Sequence, residues 1–366
     1  MGFSKKSGKK SYPLLLSLTG ILVFIGLVLI FSASRVVGRS LADLFGKQLL
    51  WTALGFGTLA FFYKSDFHFW SRSSIFFYLV SLALLASVLV FGQGRAEVQR
   101  WFKVGFFYFQ PSEFAKLIYI FTLGNYFERN KDSVKRFTTF LWAFLFIFLP
   151  LFILILLQPN LGTAFVFLPI FFAVAYIAGT PKKHLLTLSG LGLLALPVFW
   201  LFLRDYQKRR ILVFLNPGID PLGAGYNILQ SRIAIGSGGF FGKGFLRGTQ
   251  THLAFLPEHH TDFIFSVLAE EWGFLGGIAL LLVYFLFLTE VFKIASFTRD
   301  RAGTFIAVGF GTMFATHIFV NVAMAMGFLP VVGIPLPFLS YGGSSLIASL
   351  TAVGILLSIK RQETFL

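Results

Sequence analysis

Pro13-Leu-Leu-Leu-Ser-Leu-Thr-Gly-Ile-Leu-Val-Phe-Ile-Gly-Leu-Val-Leu-Ile-Phe31 runs for nineteen residues without a charge. A helix of about 20 apolar residues crosses the roughly 30 Å hydrocarbon core of a bilayer. Four lysines (Lys5, Lys6, Lys9 and Lys10) precede this run, as they would in a signal peptide. The run is too long for one, and no clear small-residue cleavage site follows, so it is read as a retained first span. Similar runs recur along the chain. Ten spans are predicted, at about 13–33, 44–63, 73–92, 110–127, 137–157, 161–179, 185–203, 263–289, 303–328 and 341–359. Backbone polar groups in lipid must be satisfied within their own segment, so nearly all of this is expected to be helix.

Composition agrees. Of 366 residues, 56% are hydrophobic and 13% charged, with 50 Phe. Soluble domains carry roughly a quarter charged residues. The net charge of +16 does not indicate nucleic acid, because the basic residues sit between apolar runs rather than on one soluble face. The absence of Cys excludes disulfides, thiolate catalysis and Cys-ligated metals.

Lys and Arg also orient the chain. With the N-terminus inside, the predicted cytoplasmic segments hold seventeen of them, against six in the short external loops. The expected fold is therefore an all-α polytopic membrane protein, one domain over 1–366, with about ten transmembrane helices and both termini cytoplasmic. One large extracellular loop, about 204–262, then lies between helices 7 and 8. Loops of that length are functional or disordered. This one contains Tyr226-Asn-Ile-Leu-Gln-Ser-Arg-Ile-Ala-Ile235, suited to an interfacial helix, so order is expected.

Acidic residues are scarce, fifteen in all, so their placement is informative. The densest cluster, Leu256-Pro-Glu-His-His-Thr-Asp-Phe-Ile-Phe265, lies where the long loop enters a helix. Thr261 and Asp262 suit a helix cap. Alternatively Asp262 is a carboxylate at the membrane surface, desolvated enough to accept a proton, with Glu258 and His260 beside it. A His–His–Asp metal site is a further alternative, with no strong spacing signature behind it. Glu270 and Glu271 fall inside the eighth span, where ionisable groups are costly and functional candidates by default.

Arg100 and Gln110-Pro-Ser-Glu-Phe-Ala-Lys116 form a second group. Glu113 and Lys116 share a helix face, either as a buried ion pair or as the lining of a cavity for an anionic head group. Gln158-Pro-Asn-Leu-Gly-Thr163 reads as a turn. Gly236-Ser-Gly-Gly-Phe-Phe-Gly-Lys-Gly-Phe-Leu-Arg-Gly248 fails as a phosphate-binding P-loop, since Gly244 stands where Ser or Thr is required. Its glycines allow either a tight turn or close approach to a phosphate, with Lys243 and Arg247 supplying charge. Pro330-Val-Val-Gly-Ile-Pro-Leu-Pro-Phe-Leu-Ser-Tyr-Gly-Gly-Ser-Ser345 interrupts apolar sequence at membrane depth. That predicts a re-entrant, cavity-lining segment including Ser340 and Tyr341.

Together with Trp101 and Phe255-Leu-Pro-Glu-His-His-Thr-Asp-Phe263, these motifs resemble the SEDS family, the shape, elongation, division and sporulation proteins. They match in order over about 250 residues. Gly327-Phe-Leu-Pro-Val-Val-Gly-Ile-Pro-Leu-Pro-Phe338 is more similar to the elongation branch than to the division branch. The family commonly has Asp where this chain has Asn160, so a charge there is not essential to this protein's chemistry.

The resemblance implies a peptidoglycan glycosyltransferase in the bacterial cytoplasmic membrane, acting in cell elongation with its active site on the outer face. It implies lipid II and the nascent lipid-linked glycan as substrates, and release of undecaprenyl pyrophosphate. It also implies Asp262 as the essential acid and dependence on a divalent cation, Mg²⁺ or Mn²⁺, with ligands unspecified. A class B penicillin-binding protein and other elongation-complex membrane proteins are the implied partners. Glu113, Lys116, Arg100, Glu258, His260, Lys243, Arg247, Ser340 and Tyr341 are the candidate substrate-binding residues. Membrane charges and broken helices also suit a transporter such as a lipid II flippase. Against that, the acids cluster outside and trace no path across the bilayer.

Overall fold

The computed structural model describes residues 11–35, 42–92, 100–105, 107–220, 223–253 and 255–363. The opening run forms α1 (Ser11–Ala33), followed by α2 (Ala42–Lys64), a short α3 (Phe67–Arg72) and α4 (Ser74–Phe91). A hairpin of β1 (Phe102–Val104) and β2 (Phe107–Phe109) leads to α5 (Pro111–Arg129). Next, α6 (Phe137–Ala143) runs through a π turn at Phe144–Phe148 into α7 (Leu149–Leu157). Then come α8 (Leu161–Ala178) and α9 (Lys182–Phe202). The long loop carries α10 (Asp205–Leu215), α11 (Ala224–Ser237) and α12 (Thr249–His252). The chain ends with α13 (Ile264–Phe297), α14 (Arg301–Ala325) and α15 (Gly343–Glu363).

The π turn has a local cause. Pro150 lacks an N–H and its ring crowds the carbonyl four residues back, which loosens the helix there. The Tyr78 hydroxyl lies 2.9 Å from the Phe146 carbonyl and 3.1 Å from that of Ile147, so it can donate to the groups this releases. Among the described residues, eight helical segments are apolar and long enough to cross a membrane. The other two predicted spans are α2 and α5, with 23 and 19 residues. α5 is more polar because it lies inside the bundle, whereas α2 exposes Leu49, Leu50, Leu54 and Phe61 and turns only one face inward. Gln48, Glu113, Lys116 and Asn125 are all buried there, and buried polar groups need partners rather than lipid.

The core is built on α14, which packs against α13, α8 and α5, while α15 lies along α2. The latter contact is nearly backbone to backbone: a Cβ on Gly354 would lie 2.5 Å from the Leu59 carbonyl oxygen. Gly354→Ala is therefore expected to force the two helices apart. The cost is about 1–3 kcal/mol, read as a lowered thermal unfolding midpoint of the purified protein in detergent.

Two features correct or sharpen the sequence reading. The hairpin was not expected in an otherwise helical chain; Gly105, at φ 61°, follows β1, and Phe102 pairs with Phe109. The long loop is ordered as expected, and α11 packs on α13. The Ser231 hydroxyl accounts for part of this, 2.6 Å from the Ala325 carbonyl and 2.7 Å from Ser266 Oγ.

Residues 330–341 have no regular helix, yet Ile334, Leu336, Phe338 and Leu339 are buried. Irregular backbone at this depth needs its polar groups satisfied by protein. Side chains of the neighbouring helices do this: Asn321 Nδ2 donates to the Ile334 carbonyl at 2.7 Å, and the Tyr284 hydroxyl to that of Pro337 at 2.6 Å.

Candidate active site

Asp262 sits on a turn that begins with Glu258, a non-glycine residue at φ 51°. This left-handed backbone turns the Glu258 carbonyl to accept the N–H groups of Thr261 and Asp262, both at 3.2 Å. Such a conformation persists only where surrounding contacts enforce it. Here they do. Asn321 Nδ2 donates to the Asp262 carbonyl at 3.0 Å, Ser340 Oγ to that of Thr261 at 2.6 Å, and Tyr341 N–H to that of His260 at 2.8 Å. The backbone of 260–262 is thus clamped between α14 and the irregular segment. The expected cap is not made: α13 starts at Ile264 with no side-chain hydrogen bond to its first turn. The half-buried Asp262 carboxylate lies beside Gly333, where a Cβ would come within 3.5 Å of Oδ2. Gly333 has φ 72°, which disfavours a side chain there for a second reason.

Loss of water around Asp262 raises its pKa to about 6, and the nearby charge of Glu258 adds to the rise; Arg210 and Arg100 act in the opposite direction. Burial, with His259 adjacent, lowers the pKa of His260. Burial also lowers that of Arg100, where Tyr206 opposes the shift and Arg210 adds to it. Arg100 Nε donates to the Gln158 carbonyl at 3.3 Å, and its Nη2 donates to that of Pro159. The Tyr206 hydroxyl donates to the same Pro159 carbonyl at 2.7 Å. Arg210 Nη1 reaches the Val331 carbonyl at 3.1 Å. The Gln-Pro-Asn turn, α10 and the irregular segment therefore meet beside Asp262. Two guanidiniums stand near two carboxylates, which suits proton removal next to an anionic leaving group. Arg210 and Tyr206 were not anticipated. The only sequence signal was Tyr206-Gln-Lys-Arg-Arg210, a basic run within the long loop.

The other candidates have other settings. Lys116 Nζ is 2.9 and 3.0 Å from the two oxygens of Glu113 and 3.0 Å from His317 Nε2, all buried. His317 Nδ1 lies 3.2 Å from the Pro335 carbonyl. A neutral imidazole donating from Nδ1 and accepting from Lys116 at Nε2 satisfies all three groups. This pair underlies the irregular segment and reaches Asp262 only through it.

Lys243 Nζ pairs with Glu270 at 2.7 Å, and Glu270 also accepts from Gln250 N–H at 2.9 Å. The glycine-rich stretch packs tightly against α13, whose helix breaks at Gly273 (φ 67°). Lys243 N–H bonds the Glu270 carbonyl at 3.0 Å, and a Cβ on Gly242 would lie 2.1 Å from the Glu271 carbonyl oxygen. These glycines serve close packing. Arg247 is exposed on the same loop. Ser340 is committed to backbone, also accepting from Leu336 N–H at 2.8 Å, and the ring of Tyr341 stands against His260 with centroids 5.7 Å apart. Asn160 caps α8, accepting from Thr163 N–H at 3.3 Å.

The sequence profile of the cell cycle protein family, that of FtsW, RodA and SpoVE, matches residues 13–365. The chain belongs to this family, the SEDS proteins of the sequence reading. A probable peptidoglycan glycosyltransferase FtsW from Geobacter sp. (strain M18) is 38% identical over 358 residues, covering 95% of this chain and 96% of that protein. The peptidoglycan glycosyltransferase RodA of Treponema pallidum (strain Nichols) is 36% identical over 432 residues, covering 97% and 99%. Among solved structures, a peptidoglycan synthase complex described as coordinating polymerization and crosslinking superposes with TM-score 0.79 at 33% identity, covering 95% of this chain and 97% of that one. Membership makes the chain a multi-pass membrane protein, in agreement with its eight apolar spanning helices.

Proposed function

We infer that this chain is a peptidoglycan glycosyltransferase that polymerises lipid II at the outer face of the cytoplasmic membrane. The observation that carries the reading is the Asp262 carboxylate, with its raised pKa, opposed by Arg100 and Arg210. A sugar hydroxyl is a weak nucleophile at neutral pH and needs a base within hydrogen-bond reach. Asp262 takes the proton of the acceptor GlcNAc 4-hydroxyl as that oxygen bonds to the donor's anomeric carbon. The bond from that carbon to the pyrophosphate breaks, and its electron pair leaves with undecaprenyl pyrophosphate. Arg210 and Arg100 receive the charge that develops there. The growing lipid-linked strand is the donor and incoming lipid II the acceptor.

Among the described residues, no group of three or more His, Asp or Glu is placed to hold a metal ion by itself. A protein-only cation cage is therefore not what supports the expected divalent ion. One or two carboxylates completed by substrate phosphates is the usual Mg²⁺ arrangement, and Glu258, exposed beside Asp262, is the carboxylate that would hold the ion. The ion would supply further neutralisation of the pyrophosphate. Relatives from both branches match at similar identity, and the elongation role rests on the Gly327–Phe338 segment. The resemblance to a synthase complex supports a class B penicillin-binding protein as the partner. The excess of Lys and Arg on the opposite side of the spans supports an outward-facing Asp262.

The test is to supply lipid II to the purified chain, alone and with its partner, in detergent with Mg²⁺. Long glycan strands are expected on gel analysis. Absence of product in both preparations, with lipid II translocated instead in vesicles, would overturn the enzymatic reading.

A further inference from the structure

Three buried side chains, Glu113, Lys116 and His317, take no part in the proton transfer described above. Their hydrogen bonds fix the state of the histidine. Lys116 Nζ stands 2.9 and 3.0 Å from the two Glu113 oxygens and 3.0 Å from His317 Nε2. An ammonium has three donors and no acceptor. All three are used here, and a proton on Nε2 would set N–H against N–H, so Nε2 accepts. A neutral ring that accepts at Nε2 carries its proton on Nδ1. Nδ1 lies 3.2 Å from the Pro335 carbonyl and donates to it. Lys116 thus sets the tautomer from one side, and the ring delivers one N–H to the irregular segment on the other.

The place of that bond connects it with Asp262. Pro335 and Pro337 have no N–H to offer, so this stretch leans on side chains of the neighbouring helices. Two of them come from α14, one turn apart. His317 donates to the Pro335 carbonyl, and Asn321, four residues on, to that of Ile334 at 2.7 Å. Asn321 Nδ2 also donates to the Asp262 carbonyl at 3.0 Å. Gly333, two residues before Pro335, borders the carboxylate itself, with its Cβ position 3.5 Å from Asp262 Oδ2. His317 therefore fixes the residue next to the one that Asn321 ties to Asp262.

We propose that His317 is a positioning residue for glycosyl transfer: its Nδ1–H, oriented by Lys116 and Glu113, holds Pro335 so that backbone 333–335 keeps the Asp262 carboxylate in line with the acceptor hydroxyl. This role rests on Asp262 as the base. His317 touches neither substrate. It acts through main chain, and small misplacements at a reacting group are costly because the bound geometry must be close to that of attack.

Two amide replacements separate the two bonds of the ring. In His317→Asn the amide nitrogen can take the place of Nδ1 and donate to Pro335, while Lys116 loses an acceptor. In His317→Gln the longer side chain brings its amide oxygen near the place of Nε2, which keeps the Lys116 bond and gives up the one to Pro335. The Lys116 bond is charge-assisted and the stronger of the two. His317→Gln is therefore expected to be the more stable variant in thermal unfolding of the purified protein, and His317→Asn the more active one. Polymerisation of lipid II should fall about ten-fold in kcat for His317→Gln and no more than about three-fold for His317→Asn, with KM for lipid II changed less than about two-fold in both. A ring that only fills space and satisfies Lys116 gives the opposite order, with activity following stability. That order, or equal activity of the two variants, would overturn the positioning role. Hydrogen–deuterium exchange supplies a readout independent of turnover: amides within 260–263 and 333–341 should exchange faster in His317→Gln than in His317→Asn, and equal exchange would overturn it as well. A wild-type protein that makes no glycan would instead overturn the enzymatic reading, and this role with it.

Discussion

Asp262→Asn is expected to lower glycan polymerisation about 10²–10⁴-fold, the usual contribution of a positioned general base, without unfolding the protein. The replacement has the same shape, and the turn around it is held by main-chain contacts to Asn321, Ser340 and Tyr341 that do not involve the carboxylate. The sign of the pKa shift supports this. Burial disfavours the ionised form of Asp262, so a neutral amide relieves an unfavourable charge and should leave the thermal midpoint unchanged or slightly raised. Loss of activity together with loss of folded protein would instead assign Asp262 a structural role. Polymer yield from lipid II and thermal unfolding in the same detergent preparation separate the two.

Arg210→Gln is expected to have the second largest effect, a fall in polymerisation of roughly 10²–10³-fold, as when one preorganised donor to a developing oxyanion is removed. Arg210 spends one donor on the Val331 carbonyl at 3.1 Å, and a guanidinium has five. The remaining donors are available to a pyrophosphate. Arg210→Lys keeps the charge but not the fork, so partial recovery is expected. Removing Arg210 also removes one of the two charges that hold the Asp262 pKa down. The residual activity of Arg210→Gln should therefore require a higher pH than wild type. An Arg210→Gln protein with normal turnover would remove it from the leaving-group role.

Much of this was legible in the sequence because lipid is a demanding solvent. The spans, the ordered long loop and the irregular stretch from Pro330 all follow from apolar run length and from Pro and Gly placed where helix is otherwise required. The more polar α2 and α5 were legible as helices despite Lys47, Glu113 and Lys116 because the surrounding runs kept their length. What the sequence did not disclose depends on tertiary approach. Arg210 lies 52 positions before Asp262, and only the fold of α10 against the Val331 carbonyl brings it near. Lys243 looked like a phosphate ligand beside glycines, whereas the break at Gly273 presents carbonyls that those glycines pack against and a Glu270 that takes the lysine. Thr261 and Asp262 do not cap α13 because the turn from Glu258 carries the chain one residue further, leaving Phe263 at the N-cap position with no side-chain bond to the first turn.

The most direct measurement is the dependence of polymerisation rate on pH for wild type and Glu258→Gln. With Asp262 as the base, the wild-type rate rises with pH through an inflection near 6, as its carboxyl ionises. Removing the Glu258 charge makes that ionisation easier, so the inflection of the remaining activity moves to lower pH. An inflection that stays in place when the Glu258 charge is removed would contradict Asp262 as the proton acceptor.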